Sequence, residues 1–264
     1  MPVLHTLFTV IKLVLYYLAY QLVFGGIFAG LSHLVVPMDM TTTVSLAMLV
    51  STLVMAWHLI HFGYVNLAQD KYRRVTLPIL GVSTVFIFTA MYVLNLLIEQ
   101  AGIPNTMEDT FIDMSRNPFG ILSIALLAPI LEELLFRGAI QGHLQGALKH
   151  PWVAILIASA IFGVVHMNPA QIPFAFLLGT MFGWLYYRTG SLLPGIIGHV
   201  LNNSIAAISM LLYGDATIEE QMPSATEMWG VAIVAAILFF FAARWLDRNL
   251  GVESPSQPSG SDIE

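Results

Sequence analysis

The chain has 264 residues, of which 57% are hydrophobic and only 10% are charged. A soluble domain usually carries about 25% charged residues, so this composition excludes a soluble enzyme and is typical of a polytopic membrane protein. The formal net charge is −6 and the ten Lys and Arg residues form no basic stripe, which argues against nucleic acid as a partner. Because the chain has no cysteine, disulfides, thiolate metal sites and a cysteine nucleophile are excluded as well.

Apolar stretches that could cross a bilayer follow one another along the chain. A transmembrane helix needs about 20 mostly apolar residues, and eight stretches qualify: 7–31, 43–65, 76–98, 119–140, 152–168, 171–187, 191–213 and 228–246. Helices are expected, since a lipid-facing backbone must satisfy its own hydrogen bonds. The sequence therefore predicts an all-α membrane bundle of about eight helices. It is expected to form one domain over residues 1–250, followed by a disordered tail at 251–264.

The charges between the spans predict an orientation, because cytoplasmic loops carry an excess of Lys and Arg. If both termini are cytoplasmic, the basic residues of that side are Lys71, Arg73, Arg74, Lys149, Arg188, Arg244 and Arg248. The opposite loops hold only Arg116 and are rich in Asp and Glu. Both termini are therefore predicted to be cytoplasmic. Short loops and the absence of appended domains favour a multi-pass protein of the bacterial inner membrane.

Three charged residues interrupt the fourth span: Glu132, Glu133 and Arg137. Each ionised group near the bilayer centre costs about 2.5–3.5 kcal/mol to insert, so three of them indicate a specific role. Glu133 and Arg137 are four residues apart with the acid first, which is the favourable order for an ion pair within a helix. Glu132 is expected to point about 100° away. Its carboxyl is then free to project elsewhere and to serve as a general base.

Two later spans carry polar residues at the same four-residue spacing. Phe162 and His166 share a face of the fifth span, and His199 and Asn203 share a face of the seventh. Together with the glutamates, these side chains could form one polar cluster that activates water and stabilises an oxyanion, as the hydrolysis of an amide requires. The alternative is a hydrogen-bond network that only holds the helices together.

Other intramembrane chemistries leave recognisable motifs, and most of these are missing. The chain has no HExxH zinc-protease motif, no Gly-x-Ser-Gly and no pair of intramembrane aspartates. A transporter stays open, although inverted repeats and broken helices are not evident. Gly179 and Gly183 form a small-xxx-small pair in the sixth span, which is typical of a helix-packing face.

In these motifs the chain resembles the CPBP (Abi) family of intramembrane proteases, whose eukaryotic relatives are the type II CaaX prenyl endopeptidases. The family motifs EExxxR, FxxxH and HxxxN occur complete and in order, about 30 residues apart. They comprise Glu132, Glu133, Arg137, Phe162, His166, His199 and Asn203. The resemblance covers about residues 119–213, which are the predicted catalytic core.

The resemblance implies an endopeptidase that acts on a membrane-associated protein or peptide. Glu132 and His166 would activate the attacking water, and His199 and Asn203 would bind the oxyanion. Glu133, Arg137 and Phe162 would support them. The other class of function is a non-catalytic immunity or scaffold protein that uses the polar cluster for helix packing.

The resemblance leaves the cofactor open, because the family is often labelled a metalloprotease. Glu132, His166 and His199 could make a three-ligand zinc site with an open position for water. No ligand spacing within a single helix supports such a site. A metal-free glutamate mechanism is therefore favoured, with zinc as the alternative.

Overall fold

A computed structural model describes residues 3–65 and 75–250, and within these ranges the chain forms helices and turns without a β-strand. The helices are α1 Val3–Leu34, α2 Met40–His61, α3 Leu77–Gln100, α4 Glu108–Arg116, α5 Pro118–Ala147, α6 Pro151–Val164, α7 Gln171–Thr189, α8 Leu193–Tyr213, α9 Ile218–Gln221 and α10 Ala225–Asn249. The predicted tail at 251–264 and the basic residues Lys71, Arg73 and Arg74 lie outside the described residues.

Six of the described helices are long and apolar enough to cross a membrane, namely α1, α2, α3, α5, α8 and α10. The predicted all-α polytopic membrane bundle is thus confirmed, while the count of eight spans and the cytoplasmic termini stay predictions. The predicted fifth span corresponds to α6, which has only 14 residues. At about 1.5 Å per residue it is about 21 Å long, shorter than a hydrocarbon core of about 30 Å.

The turn after α6 is buried inside the protein. Asn168 is fully buried there, and its side chain accepts a hydrogen bond from the backbone N–H of Thr106 at 3.2 Å and donates one to the Asn105 side chain at 2.8 Å. Both partners belong to the loop that follows α3. This loop covers the end of α6, so polar groups of the turn are satisfied by protein although the helix is short.

Helix α5 lies at the centre of the bundle. In its most apolar window 67% of the residues are buried, whereas the other five long helices reach at most 39%. Its apolar residues, among them Leu131, Leu135, Phe136 and Ile140, form the middle of the largest hydrophobic cluster. Around it, α1 packs against α2, α3 against α10, and α6 against α7. The three charged residues of the fourth span therefore lie in the protein core and do not face lipid.

Helix α5 is not a regular α-helix along its whole length. It contains two π-helical segments, Ser123–Leu127 and Glu133–Gln141. Such segments occur frequently at functional sites because they change which residues share a face and free backbone carbonyls for other partners. A backbone carbonyl freed in this way takes part in the polar cluster.

Candidate active site

A buried network of polar side chains joins α5 to α8 around His199. The Nδ1 atom of His199 donates a hydrogen bond to Oε1 of Glu133 at 3.0 Å, and its Nε2 atom lies 3.5 Å from Oε2 of Glu132. Only 4% of His199, 9% of Glu132 and 1% of Glu133 are exposed. One imidazole ring therefore bridges two consecutive glutamates, and Glu133 fixes the ring so that Nε2 faces Glu132.

Glu132 and Glu133 reach this histidine at different atoms, because the two ring nitrogens of His199 lie on different sides of the ring. Glu133 also pairs with Arg137, whereas the Glu132 carboxyl projects toward α8. This agrees with the expectation that the Glu132 side chain points away from the Glu133–Arg137 pair.

Arg137 completes the network and is itself almost fully buried. Its Nη1 atom lies 3.1 Å from Oε1 of Glu133, as the four-residue spacing predicted. The guanidinium carbon lies 4.4 Å from the ring centre of Phe162 and 5.3 Å from that of Phe182. These aromatic faces attract the cation and offset part of the free-energy cost of burying it. Phe182 also stacks on His199, with ring centres 4.9 Å apart.

Glycines allow the neighbouring helices to approach this network. A Cβ atom on Gly179 of α7 would lie 2.8 Å from Nη2 of Arg137, and one on Gly195 of α8 would lie 2.7 Å from Oε2 of Glu133. The side-chain amide of Gln141 also donates a hydrogen bond to the Gly183 carbonyl at 2.8 Å. The predicted packing face of α7 therefore lies directly against the charged residues.

His166 lies two residues beyond the end of α6, and its side chain is half-buried. Its Nδ1 atom is 2.7 Å from the backbone carbonyl of Phe162, one of the carbonyls left without a partner at a helix end. Because a carbonyl only accepts hydrogen bonds, Nδ1 must carry the proton. In the neutral ring the lone pair is then on Nε2, which can accept a proton from water.

His166 approaches the rest of the cluster through an aromatic ring. Phe162 makes edge-to-face contacts with His166 at 4.9 Å and with His199 at 5.8 Å between ring centres. Among the described residues, no hydrogen bond or ion pair joins His166 to Glu132 or His199.

Asn203 is held by the irregular backbone of α5. Its Nδ2 atom donates to the Ile124 carbonyl at 3.1 Å, and its Oδ1 atom accepts a hydrogen bond from Nδ2 of Asn202 at 2.6 Å. The Ile124 carbonyl lacks its usual helical donor because the Ala128 N–H bonds to Ser123 instead, five residues back. The next residue, Pro129, has no N–H at all. One N–H of the Asn203 amide remains for another acceptor.

The structure thus brings six of the seven predicted residues into two connected groups. Glu132, Glu133, Arg137 and His199 form the charged network, and Phe162 links it to His166; Asn203 is held separately by α5. Sequence reasoning missed Gln141, Phe182, Asn202 and Pro129. Gln141 continues the four-residue spacing of Glu133 and Arg137, and Asn202 is a second intramembrane amide. These two signals were readable from the sequence alone.

The alternative zinc site was tested against this geometry. No group of three or more His, Asp or Glu side chains within residues 3–65 and 75–250 is arranged to hold a metal ion. Of the three suggested ligands, Glu132 and His199 are close together, but among the described residues no hydrogen bond or ion pair joins His166 to either of them. The described residues therefore do not form a three-ligand zinc site.

Comparisons with known proteins locate a likeness in this part of the chain. Residues 115–205 match the family model described as type II CAAX prenyl endopeptidase Rce1-like. The membrane-embedded CAAX protease MroQ of Staphylococcus aureus (strain USA300) is 36% identical over 118 residues, which cover 43% of this chain and 47% of that protein. YdiL of Bacillus subtilis (strain 168), a predicted membrane peptidase, is 34% identical over 94 residues, which cover 36% and 38%.

The chain spans less than half the length of these curated relatives. No solved structure matches it. The matched segment contains all seven motif residues, and the relatives are bacterial membrane proteins by name and organism. With six apolar helices, the prediction of a multi-pass bacterial membrane protein is confirmed. Over residues 115–205, the chain is similar to the Rce1-like family of type II CAAX prenyl endopeptidases, as its three motifs indicated.

Proposed function

We propose that this chain is a membrane endopeptidase that hydrolyses a peptide bond in a membrane-associated protein or peptide. The observation that carries this proposal is the bridge from Glu132 through His199 to Glu133 and Arg137, inside the segment that resembles the family. Structural helix contacts seldom need three buried charges, because each charge has a large desolvation cost. A site that handles protons and a developing negative charge does need them.

In the proposed reaction, Glu132 and His166 activate the attacking water. Glu132 is the charged residue of the network that is not committed to Arg137, and it keeps some exposure. His166 presents Nε2 as a proton acceptor because its Nδ1 proton is held by the Phe162 carbonyl. A water between these groups would lose a proton to one of them as its oxygen attacks the scissile carbonyl carbon.

His199 and Asn203 are proposed to stabilise the oxyanion that forms in this step. When both ring nitrogens of His199 carry a proton, Nδ1 donates to Glu133 and Nε2 can donate to the oxyanion. Asn203 contributes the N–H that the Ile124 carbonyl does not use. Both donors are fixed before substrate arrives, which is the condition under which such donors lower a barrier. Glu133 and Arg137 position His199 and do not touch the substrate.

The cycle then closes without any other reactant. The proton taken from water passes to the amide nitrogen as the carbon–nitrogen bond breaks. The products are a carboxylic acid and an amine, and the general base returns to its starting state. Throughout the cycle, the protein positions water and substrate, stabilises the oxyanion with its dipoles and provides one proton acceptor.

The test uses the full chain purified in detergent and a library of quenched fluorogenic peptides. We expect Glu132→Gln to reduce cleavage by about 10²- to 10⁴-fold, the usual contribution of a general base, and to leave the melting temperature nearly unchanged. Glu227→Gln is the matched control, because Glu227 is exposed in the first turn of α10. A zinc chelator, added to the wild-type protein, tests metal dependence in the same assay.

Full cleavage by Glu132→Gln would refute the proposed mechanism. The alternative is that the cluster only packs helices, as in a scaffold or immunity protein. It predicts a strongly reduced melting temperature for Glu132→Gln and no cleavage by the wild-type protein. Melting and cleavage thus separate the two functions. A general base contributes to cleavage, whereas a structural contact contributes to the melting temperature.

A further inference from the structure

A groove outside the candidate active site lies between α3, α6, α7 and α10. Its volume is about 240 Å³, and its walls include Phe86, Trp152, Met181, Trp184, Phe239 and Ala243. Phe86 stacks on Phe239 with ring centres 4.8 Å apart and lies 5.5 Å from the ring of Trp184. The hydroxyl of Thr180, which also lines the groove, donates to the Phe176 carbonyl of its own helix at 2.8 Å. The walls therefore present hydrocarbon and aromatic surface.

The groove lies at the basic end of the bundle. Trp152 is the second residue of α6, while Trp184 and Ala243 lie in the last turns of α7 and α10. These helix ends belong to the side that carries most of the Lys and Arg residues and is predicted to be cytoplasmic. Tryptophan is enriched where a bilayer meets water, and both tryptophans agree with a groove that opens at the level of the lipid headgroups.

Two exposed cations are close in sequence to residues that line the groove. Lys149 precedes Trp152 by three residues, and Arg244 directly follows Ala243. Within the described residues neither side chain forms an ion pair. Arg188, by contrast, is committed: it binds the Asp247 carboxylate at 2.7 Å and the Asp247 carbonyl at 2.8 Å, and so ties α7 to α10. Arg188 is the principal partner of the Asp247 carboxylate, which also lies within electrostatic reach of Arg244.

We propose that this groove is a binding site for an anionic phospholipid. One acyl chain lies between the aromatic walls, and the headgroup phosphate lies against Lys149 and Arg244. The apolar walls select a hydrocarbon chain, and the two exposed cations select a negative headgroup over a neutral one. A helix of a second protein, with a diameter of about 10–12 Å, does not fit a groove of this volume.

Photo-crosslinking in nanodiscs tests this site. The full chain is placed in phosphatidylcholine nanodiscs that contain a small fraction of phosphatidylglycerol with a photoreactive acyl chain. We expect the label on peptides of α7 and α10, and we expect unlabelled phosphatidylglycerol to compete better than unlabelled phosphatidylcholine with the same acyl chains. Each basic residue near a membrane surface strengthens the attraction of an anionic lipid roughly fivefold. The double variant Lys149→Gln/Arg244→Gln should therefore lower the preference for phosphatidylglycerol over phosphatidylcholine roughly 25-fold.

Two controls make the experiment specific. Arg116→Gln removes an exposed cation from the acidic end of the bundle and should leave the preference unchanged. Ala243→Phe fills the groove and should abolish the label on α7 and α10, whereas Ala236→Phe, two turns earlier on α10 and outside the groove, should not. Equal competition by the two lipids, an equal loss in Arg116→Gln, or an unchanged label in Ala243→Phe would each overturn the proposal.

Discussion

On one side of the candidate active site, Glu133, Arg137 and His199 are linked by ion pairs and hydrogen bonds in the core. On the other side, His166 and Asn203 are neutral side chains held by backbone carbonyls. The first three are at most 4% exposed, while His166 and Asn203 are half-buried. Buried charges need partners and dense packing, whereas a neutral group needs only one acceptor that the helices have left unused. Under the proposed mechanism, we expect substrate to approach from the neutral side.

The charged side should be the more sensitive to a single substitution. Arg137→Met leaves the Glu133 carboxylate buried without its cation, and breaking a buried pair in this way typically costs about 3–5 kcal/mol. We expect a large fall in the melting temperature of the detergent-purified protein. The double variant Glu133→Gln/Arg137→Met should recover part of this loss because no charge is left unpaired. A fall as large in the double variant would mean that packing, and not charge, stabilises this side.

Gly179 should be the next most sensitive position, because α7 packs closely against the Arg137 guanidinium. A methyl group on Gly179 would lie 2.8 Å from Nη2 of Arg137 and 2.9 Å from Phe162, so Gly179→Ala must displace α7 or the cation. Overpacking of this kind costs about 1–3 kcal/mol. Gly81→Ala in α3 is the matched control, because nothing lies within 4 Å of its added Cβ atom. Gly179→Ala should have a lower melting temperature than Gly81→Ala. Equal melting temperatures would contradict the packing that we describe.

Replacing Pro129 should disturb Asn203 on the neutral side without lowering the melting temperature. Pro129→Ala restores an N–H that can bond the Ala125 carbonyl, which regularises α5 and removes the carbonyl geometry that holds Asn203. We expect an unchanged or higher melting temperature and a loss of peptidase activity of about tenfold, equivalent to about 1.4 kcal/mol of transition-state stabilisation. Ser204→Ala, which removes only the contact with Ala125, should have little effect on cleavage. Full activity of Pro129→Ala would show that Asn203 does not depend on α5.

The smallest effect is expected at Asn202. Its amide orients Asn203 through one hydrogen bond of 2.6 Å, and a single bond of this kind contributes about 0.5–1.5 kcal/mol. Asn202→Ala should therefore lower cleavage only a few-fold, with kcat reduced and KM nearly unchanged, because Asn203 would act in the transition state. A change in KM alone would place Asn202 in substrate binding instead.

Much of the molecule follows from the sequence because hydropathy and helical spacing are local properties. The composition predicted a helical membrane bundle, and the four-residue spacing of Glu133 and Arg137 predicted their ion pair. The same spacing predicted that Glu132 projects away from this pair, and its carboxyl lies beside His199 of α8. The predicted fifth span, 152–168, is shorter in the structure, where α6 ends at Val164.

What only the tertiary structure decided is how distant segments meet. His199 bridges both glutamates, and Phe182 of α7 stacks on it, because the glycines of α7 and α8 permit these helices to approach α5. No spacing along one helix contains this information, since it depends on which helices pack together. The residue types needed for hydrolysis could be read from the sequence by itself. The two glutamates and His199 meet only because separate helices pack together in the protein core.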